Sequence, residues 1–481
     1  MLDAQINSLE DLRHGLDDIA AFLDQSPCQQ LATLHANDFL AASLDSQRVL
    51  LNEAIEAPWL RLPPDWRVWI QQYETKAQDE RVKFLQQIAG NDADNLLSGR
   101  PVSLKSFLNS CNSLQIDRRC PVSPFTHRKG QLGMNPKKDH EVGSLVNLIQ
   151  QMWPHNGSRP KQAMDLGSGR AHLSRSLARP PLSMQVCAVD SSDTQLSGAA
   201  KLDEFYKRQK QEEVRLDHRM QRLESAQDIT TLLDGWLADL RKSDPDHPAP
   251  PLVVALHACG DLSVSILRAF ATRSQAAPQL SLVLVSCCYN MLSASSLHLS
   301  SLAHLTLTPA HLMLATQAPL SWETEGSLAF LPLRKLFYRS RLEAELDAFR
   351  SAHPGQDLQH VKRVGRLADS AFSSYVTFRS KALVKMGLPQ LAEQSALPFS
   401  PQAGTNSSDT EDRLFFRFCC LWTLRALLGP VIESYILLDR HLYLNAHLQR
   451  QSDQQTTIQL QPVFDQASGS LRNMAFILRQ P

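Results

Sequence analysis

Apolar positions change their period along the chain, and each change marks a different kind of structure. Over the first 125 residues they recur at helical spacing: Leu9, Leu12 and Leu16, then Ile19, Phe22 and Leu23, make one stripe. Trp59, Trp66 and Trp69 stand around Pro63-Pro64, a composition that suits core packing where helices meet. Residues 121–135 read as a loop. Asn135-Pro136 then has the form of a helix start, with asparagine as cap and proline at the first helical position. Val142, Leu145, Val146, Ile149 and Met152 continue that helix until Trp153-Pro154 stops it.

Past residue 160 the runs become short and nearly all apolar. Residues 161–166, 184–189, 252–256 and 282–285 are such runs, separated by helical stretches, which predicts a parallel sheet covered on both faces. A charged helical stretch over 195–224 runs into a weaker strand near 215–223. Helical spacing resumes from 293 to about 450, interrupted by a polar, Pro/Ser-rich stretch at 389–411 that reads as a loop. Residues 456–464 and 471–478, joined across 465–470, predict a hairpin that brings one antiparallel strand into the sheet. The expected fold is therefore α/β, with a helical region before a Rossmann-like sheet and a helical insertion inside it. The expected domains are residues 1–125 (helical), 126–292 (sheet core), 293–450 (helical insertion) and 451–481 (hairpin completing the sheet).

Composition narrows this picture. The 481 residues are 43% hydrophobic and 20% charged, ordinary for a globular chain, and 49 Lys plus Arg balance 49 Asp plus Glu. No basic field for non-specific nucleic-acid binding is built. Nine cysteines, including the adjacent pairs Cys287-Cys288 and Cys419-Cys420, fit a reducing compartment rather than a disulfide framework. The acidic start MLDAQINSLEDL has no signal-peptide form, and the apolar stretch 418–438 is broken by Arg425, Gly429-Pro430 and Glu433. A cytoplasmic protein with no membrane partner is expected.

The strongest local signal is MDLGSGRAHLS at 164–174. A strand ends in Asp165, the chain turns through Gly167-Ser168-Gly169, and a helix starts near Ala171. Such a turn lets a ligand approach bare backbone. Asp190, with Ser191 after it, closes the next strand about 20 residues on, where these folds place the carboxylate that holds ribose hydroxyls. A dinucleotide fingerprint demands a small residue at 172, and His172 stands there, which disfavours an NAD-dependent oxidoreductase. Asp-x-Gly-x-Gly suits a nucleoside ligand with no pyrophosphate and a cationic methionine end, S-adenosyl-L-methionine. Asp165 is expected to meet its ammonium, and the lysine-rich helix start with Lys137, Lys138 and His140 to meet its carboxylate.

Two more strand ends are chemically rich: ALHACGDLS (255–263) and VSCCYNMLS (285–293). Methyl transfer from a sulfonium is an in-line displacement that needs an aligned nucleophile and, for some acceptors, a base. His257 is the expected base or positioning residue and is also expected among the cofactor-binding residues, with Asp261 its orienting acid and Tyr289 an aromatic face toward sulfonium or substrate. His257, Cys259, Cys287 and Cys288 are ligand types zinc accepts. Adjacent cysteines on a strand point to opposite faces, however, and no dense C-x-x-C pattern selects these positions. Structural thiols lining a pocket, with no metal, are expected.

Together GMNPKKDHEV, MDLGSGRAHLSRSLA, LHACGDLS, VSCCYNML, LLGPVIESYILLDRHLYL and LRNMAFIL resemble, in order, the methyltransferase-like 25 family, also labelled ribosomal-RNA-adenine-dimethylase-domain-containing proteins. The likeness covers roughly residues 130–480. It implies a class I methyltransferase fold with S-adenosyl-L-methionine as cofactor, and no particular substrate. Ala171 stands where that family's turn carries a third glycine. His257-Ala258-Cys259-Gly260 stands where adenine dimethylases carry Asn-Leu/Ile-Pro-Tyr/Phe. The large helical regions favour a macromolecular substrate, and neutral charge leaves RNA and protein equally open. Arg334-Lys335, Arg339, Arg341, Lys362-Arg363 and Arg366 are candidate phosphate contacts or a solvated face. The second hypothesis is a cofactor-binding scaffold without turnover.

Overall fold

The structure is a computed structural model that describes residues 9–34, 59–89, 99–120, 133–153, 159–210, 216–243, 250–273, 279–317, 330–353, 364–395, 407–448 and 456–479. Two compact units emerge. One comprises residues 1–20, 114–317 and 430–481; the other, residues 21–113 and 318–429.

The first unit holds a seven-stranded sheet: β1 (Gln162–Leu166), β2 (Gln185–Asp190), β3 (Leu216–Met220), β4 (Leu252–Cys259), β5 (Ser281–Cys287), β6 (Thr457–Pro462) and β7 (Met474–Arg479). Their order is β3-β2-β1-β4-β5-β7-β6. β1 to β5 pair in parallel, and β7 runs antiparallel to both β5 and β6. β1 and β5 are buried at every position, because helices cover both faces. The edge strand β3, Leu-Asp-His-Arg-Met, has no buried residue, and such charged edges resist pairing with other chains.

Helix α1 (Pro136–Met152) starts as expected: the Asn135 side chain accepts from the Lys138 amide at 2.8 Å, and Pro136 occupies the first turn. Its apolar face buries Val142, Leu145 and Ile149 against Ala163, Val254 and Val283 of the sheet core. Helix α2 (His172–Leu177) follows β1, and α3 (Asp193–Lys210) follows β2. Arg175 of α2, fully buried, donates to Asp203 of α3 at 2.6 Å, and His218 of β3 meets the other oxygen of Asp203 at 2.6 Å. That network fixes the edge of the sheet next to the β1 turn. Helix α4 (Asp261–Thr272) follows β4.

Helix α5 (Leu428–Leu448) carries buried charges as well as apolar side chains. Asp439 accepts from the amides of Leu299 and Ser300 at 2.9 and 2.8 Å, Arg440 donates to the Ser296 carbonyl at 3.2 Å, and Tyr435 accepts from His304 and Leu305. A core helix thereby grips the segment that leaves β5. The run Glu411–Leu448 has the length and apolarity to cross a membrane, yet 89% of its most apolar window is buried within the protein.

The second unit is helical among its described residues. Trp59, Trp66 and Trp69 are all buried there, as their setting predicted, with Trp69 4.9 Å from Phe84 and Trp66 5.1 Å from Phe107. The expected loop at 389–411 is corrected at both ends: Pro389–Ala392 is a short helix, and helix Ser407–Ala426 starts within the stretch. Ser, Asp and Thr favour helix starts as well as loops, so polarity alone misassigned them. Residues 396–406, 121–132 and 362–363 lie outside the described residues.

Of the basic residues named as phosphate contacts or a solvated face, Arg339 and Arg366 are exposed, and several of the others have partners within the same unit. Lys335 pairs with Asp369 at 2.7 Å, Arg339 donates to the Gly365 carbonyl at 2.7 Å, and Arg341 pairs with Glu411 at 3.0 Å while lying 3.7 Å over the Tyr375 ring. Arg334 lies 5.5 Å from the Phe415 ring centre.

Candidate cofactor and active site

The turn after β1 is strapped to the tip of β2. Gly167 and Ser168 donate their amides to the Val189 carbonyl at 2.9 and 3.0 Å, and the Gly169 amide donates to Asp190 Oδ2 at 2.8 Å. The Ser192 amide donates to Asp190 Oδ1 at 2.9 Å, which fixes the carboxylate plane from both sides. Each oxygen keeps a second lone pair for a hydroxyl donor. Gly167 and Gly169 have φ of 74° and 54°, in the left-handed region. A side chain built at Gly167 would touch Leu262 at 3.4 Å, whereas one at Gly169 would enter open space. Ser191 is exposed at the β2 tip, and the buried Ser168 Oγ has no hydrogen-bond partner among the described residues.

Ala171, which stands in for the third glycine, is fully buried with φ 56° and ψ 35°. It adopts the conformation a glycine would supply, at the strain an L-residue carries there. His172 begins α2; burial first, then the charges of Arg175 and Lys138, push its imidazole down to about 4, leaving it neutral at pH 7.

Asp165 is 2% exposed and accepts from Ser174 Oγ at 2.6 Å. Burial pushes its carboxyl up to about 6, against the hydrogen bond from Ser174 and the charge of Lys138. Lys138 lies partly buried in the first turn of α1, where its charge acts on Asp165, Glu141 and His172. His140 sits edge-on to Phe464, ring centres 6.5 Å apart, and its buried Nε2 has no partner among the described residues.

His257 interrupts β4. Its φ is 67°, and the pairing with β5 shifts register between Leu256 and Ala258. This bulge re-aims the imidazole toward α1, where Nε2 lies 2.8 Å from Glu141 Oε2. Glu141 is 2% exposed. Burial pushes its carboxyl up, but the His257 hydrogen bond and the charges of Lys138 and Lys137 outweigh this and hold it below the usual range. Its Oε1 is buried without a partner among the described residues, and the His257 ring lies 6.3 Å from Phe464.

Two expectations are corrected. Asp261 does not orient His257: its carboxylate accepts from the Ser293 amide at 2.9 Å, and the acid on His257 is Glu141. Tyr289 presents no face to a ligand; it is 1% exposed and donates its hydroxyl to Glu433 Oε1 at 3.1 Å, beside the Arg118–Glu433 ion pair at 3.2 Å. Both residues hold the segment after β5 in place. Glu141 was the residue sequence reasoning missed. Its signal was present: four residues ahead of Leu145 and eight ahead of Ile149, it is a carboxylate on the apolar face of α1.

The cysteines at the strand ends converge. Cys259 Sγ lies 3.2 Å from Cys287 Sγ and 3.3 Å from Cys288 Sγ, and Cys287 and Cys288 are 3.6 Å apart. The expected opposite facing of the adjacent pair fails because Cys288 has left the strand, with φ 48° and ψ 47°. Hydrogen bonding within the cluster, Cys287 foremost, lowers Cys259 to about 6, whereas Cys287 and Cys288 are raised.

The fold and turn together are those of a class I methyltransferase domain, with an antiparallel β7 between β5 and β6. Residues 137–295 match the family model described as a methyltransferase domain, about a third of the chain. The chain is similar to the "Probable methyltransferase-like protein 25" of Mus musculus, 26% identical over 209 residues, 40% of this chain and 32% of that protein. It thus spans about a third of the length of that relative. Two solved structures were also matched. The plantazolicin methyltransferase BpumL in complex with SAH has a TM-score of 0.21 and 11% identity, covering 60% of this chain and 95% of that one. Coclaurine N-methyltransferase bound to N-methylheliamine and SAH has a TM-score of 0.23 and 11% identity, covering 79% and 96%.

The residues present fit S-adenosylmethionine. The open space over Gly169, the unpartnered Ser168 Oγ and the anchored Asp190 form a cradle at the carboxyl ends of the strands, where open α/β sheets bind nucleosides.

Proposed function

We propose that the chain is an active S-adenosylmethionine-dependent methyltransferase acting on a macromolecule, with protein favoured over RNA. The observation that carries the reading is Asp190, locked by the Gly169 and Ser192 amides beside the bare turn. In this reading Asp190 takes the ribose hydroxyls, with Ser191 beside it, and Gly167-Ser168-Gly169 accept the nucleoside against their backbone. Asp165 holds the methionine ammonium, and Lys138 and His140 hold its carboxylate. When bound, the cofactor supplies an electrophilic methyl group on a cationic sulfur.

His257 is the group placed to handle a proton. Ionised Glu141 can only accept, so His257 Nε2 carries the hydrogen between them, which leaves Nδ1 as the ring nitrogen able to take a proton. Nδ1 then takes the proton of an acceptor nucleophile, while Glu141 stabilises the imidazolium that forms. The protein preference is supported by Arg341, buried and paired with Glu411, and by Lys335, whose charge is paired with Asp369. A reducing compartment, the cytoplasm, belongs to the same reading and is supported by the nine cysteines, which build no disulfide framework.

The test is incubation of cell extract with labelled methyl donor and the chain, followed by separation into protein, RNA and small-molecule fractions. Label in protein that depends on Asp165 supports the reading. Label in RNA moves the acceptor, and tight cofactor binding without transfer to any fraction makes the chain a scaffold.

A further inference from the structure

The three thiols at the ends of β4 and β5 are arranged as a ligand set. We propose that Cys259, Cys287 and Cys288 bind a zinc ion through three thiolates, with the fourth coordination position open to an exchangeable ligand.

Geometry supports this first. A tetrahedral zinc with Zn–S bonds of about 2.3 Å separates its sulfurs by about 3.8 Å. The observed separations of 3.2, 3.3 and 3.6 Å reach that edge length through side-chain movements of a few tenths of an ångström. Two parallel strands and one special backbone conformation produce the convergence. Cys259 and Cys287 are register partners across β4 and β5, so their side chains share a face. Cys288 joins them only because it adopts the left-handed region, which a non-glycine residue enters at a cost. The following turn holds it there, with the Met291 amide donating to the Cys288 carbonyl at 2.8 Å. Gly260, on the other side, approaches so closely that a side chain on it would sit 2.7 Å from the Met291 carbonyl oxygen. The segments carrying the thiols are therefore packed tightly against one another.

Donor chemistry supports it next. Three sulfurs are a soft donor set that selects zinc over magnesium or calcium. Among the described residues no histidine, carboxylate or further cysteine joins the three. Structural zinc sites are closed by four protein ligands, whereas three protein ligands with an open position is the arrangement of sites that exchange a ligand. Cys259 is exposed, which provides the entry path. A disulfide is the competing fate of close thiols, but it would pair two and strand the third.

This proposal is independent of methyl transfer, so its test reads metal directly. The full chain, purified under reduction from zinc-supplemented culture, should carry close to one equivalent of zinc by elemental analysis. Cys259→Ser, Cys287→Ser and Cys288→Ser should each lower zinc affinity at least tenfold. Cys259→His should retain the metal, because imidazole nitrogen replaces sulfur as a ligand, and Cys120→Ser should not change zinc content. Cobalt added to the metal-free parent should give sulfur-to-cobalt charge transfer and the intense visible bands of a tetrahedral site. Those bands should shift when imidazole fills the open position. If the serine variants fail to fold, the cobalt spectrum of the parent decides alone. A reduced parent that holds under a tenth of an equivalent of zinc and gives no such bands overturns the site. So does a triple serine variant that retains the parent's zinc.

Discussion

Glu141 Oε2 lies 2.8 Å from His257 Nε2, although 116 residues separate them in the chain. The pair ties the helix ahead of β1 to the bulge in β4, and it places a buried acid behind the imidazole proposed to handle a proton.

His257→Ala should lower turnover by about 10²–10⁴ while S-adenosylhomocysteine affinity changes only a few-fold. It also strands the Glu141 carboxylate in the interior, which should destabilise the protein by about 2–4 kcal/mol. Adding Glu141→Leu should recover most of that stability and none of the turnover. Steady-state kinetics, calorimetry and urea denaturation read the three quantities. Loss of cofactor affinity rather than turnover would make His257 a binding residue.

Asp165→Ala and Gly167→Val should each abolish cofactor binding in a folded protein. The first removes the buried acid. The second puts a β-branched side chain at φ 74° and against Leu262. Calorimetric titration with S-adenosylhomocysteine checks both, and parental affinity in either variant would move the cleft elsewhere.

Asp165 also sets a pH dependence. Its native carboxyl titrates at about 6, above the unfolded value of about 3.9. Between those values the native state binds the extra proton, so stability of the cofactor-free protein falls as pH rises from about 4 to 6, by at most about 2–3 kcal/mol. The cofactor ammonium prefers the ionised acid. Affinity should therefore rise by up to about tenfold per pH unit below 6 and level off above it. Asp165→Asn should flatten that rise, and a slope that persists in Asp165→Asn assigns it to another group.

Ala171→Gly exchanges relief of left-handed strain for a lost buried methyl group and a more flexible unfolded chain, so it should change stability by less than about 1 kcal/mol. Ala171→Val should cost more than about 2 kcal/mol, because a branched side chain tolerates neither the conformation nor the packing against Ala188 and Ala199. Chemical denaturation distinguishes them. Equal tolerance of glycine and valine would contradict the conformation at 171.

Tyr289→Phe should reduce stability by about 1–2 kcal/mol, since the Glu433 carboxylate loses a buried donor. Cofactor affinity should stay at the parental value. A marked loss of affinity with unchanged stability would restore Tyr289 to the ligand's surroundings.

Much of this site was legible because it is local. Asp165, the two glycines and Asp190 are separated by one strand-helix-strand unit, and their spacing carries the geometry with it. Strands β1, β2, β4 and β5 announce themselves as unbroken apolar runs because both faces are covered. β3 is faint for the opposite reason, since an exposed edge strand needs charges rather than a core side. Asp261 was matched to His257 by proximity in sequence, but the β4 bulge turns the ring toward α1 instead. No periodicity encodes that choice. Cys288 shows the same limit from another direction: alternation describes residues within a strand, and it fails at the first residue that leaves one.

The placement of β7 between β5 and β6 has a consequence for how the molecule comes into being. Until Met474–Arg479 has been synthesised, the apolar β5 edge is unpaired, and the hairpin that brings Phe464 beside His140 and His257 is not formed. Assembly of the surroundings of His140 and His257 thus waits on a long-range pairing rather than proceeding with translation. A nascent polypeptide halted before that strand would present a hydrophobic ladder to its neighbours, a natural client for chaperones and a ready nucleus for aggregation.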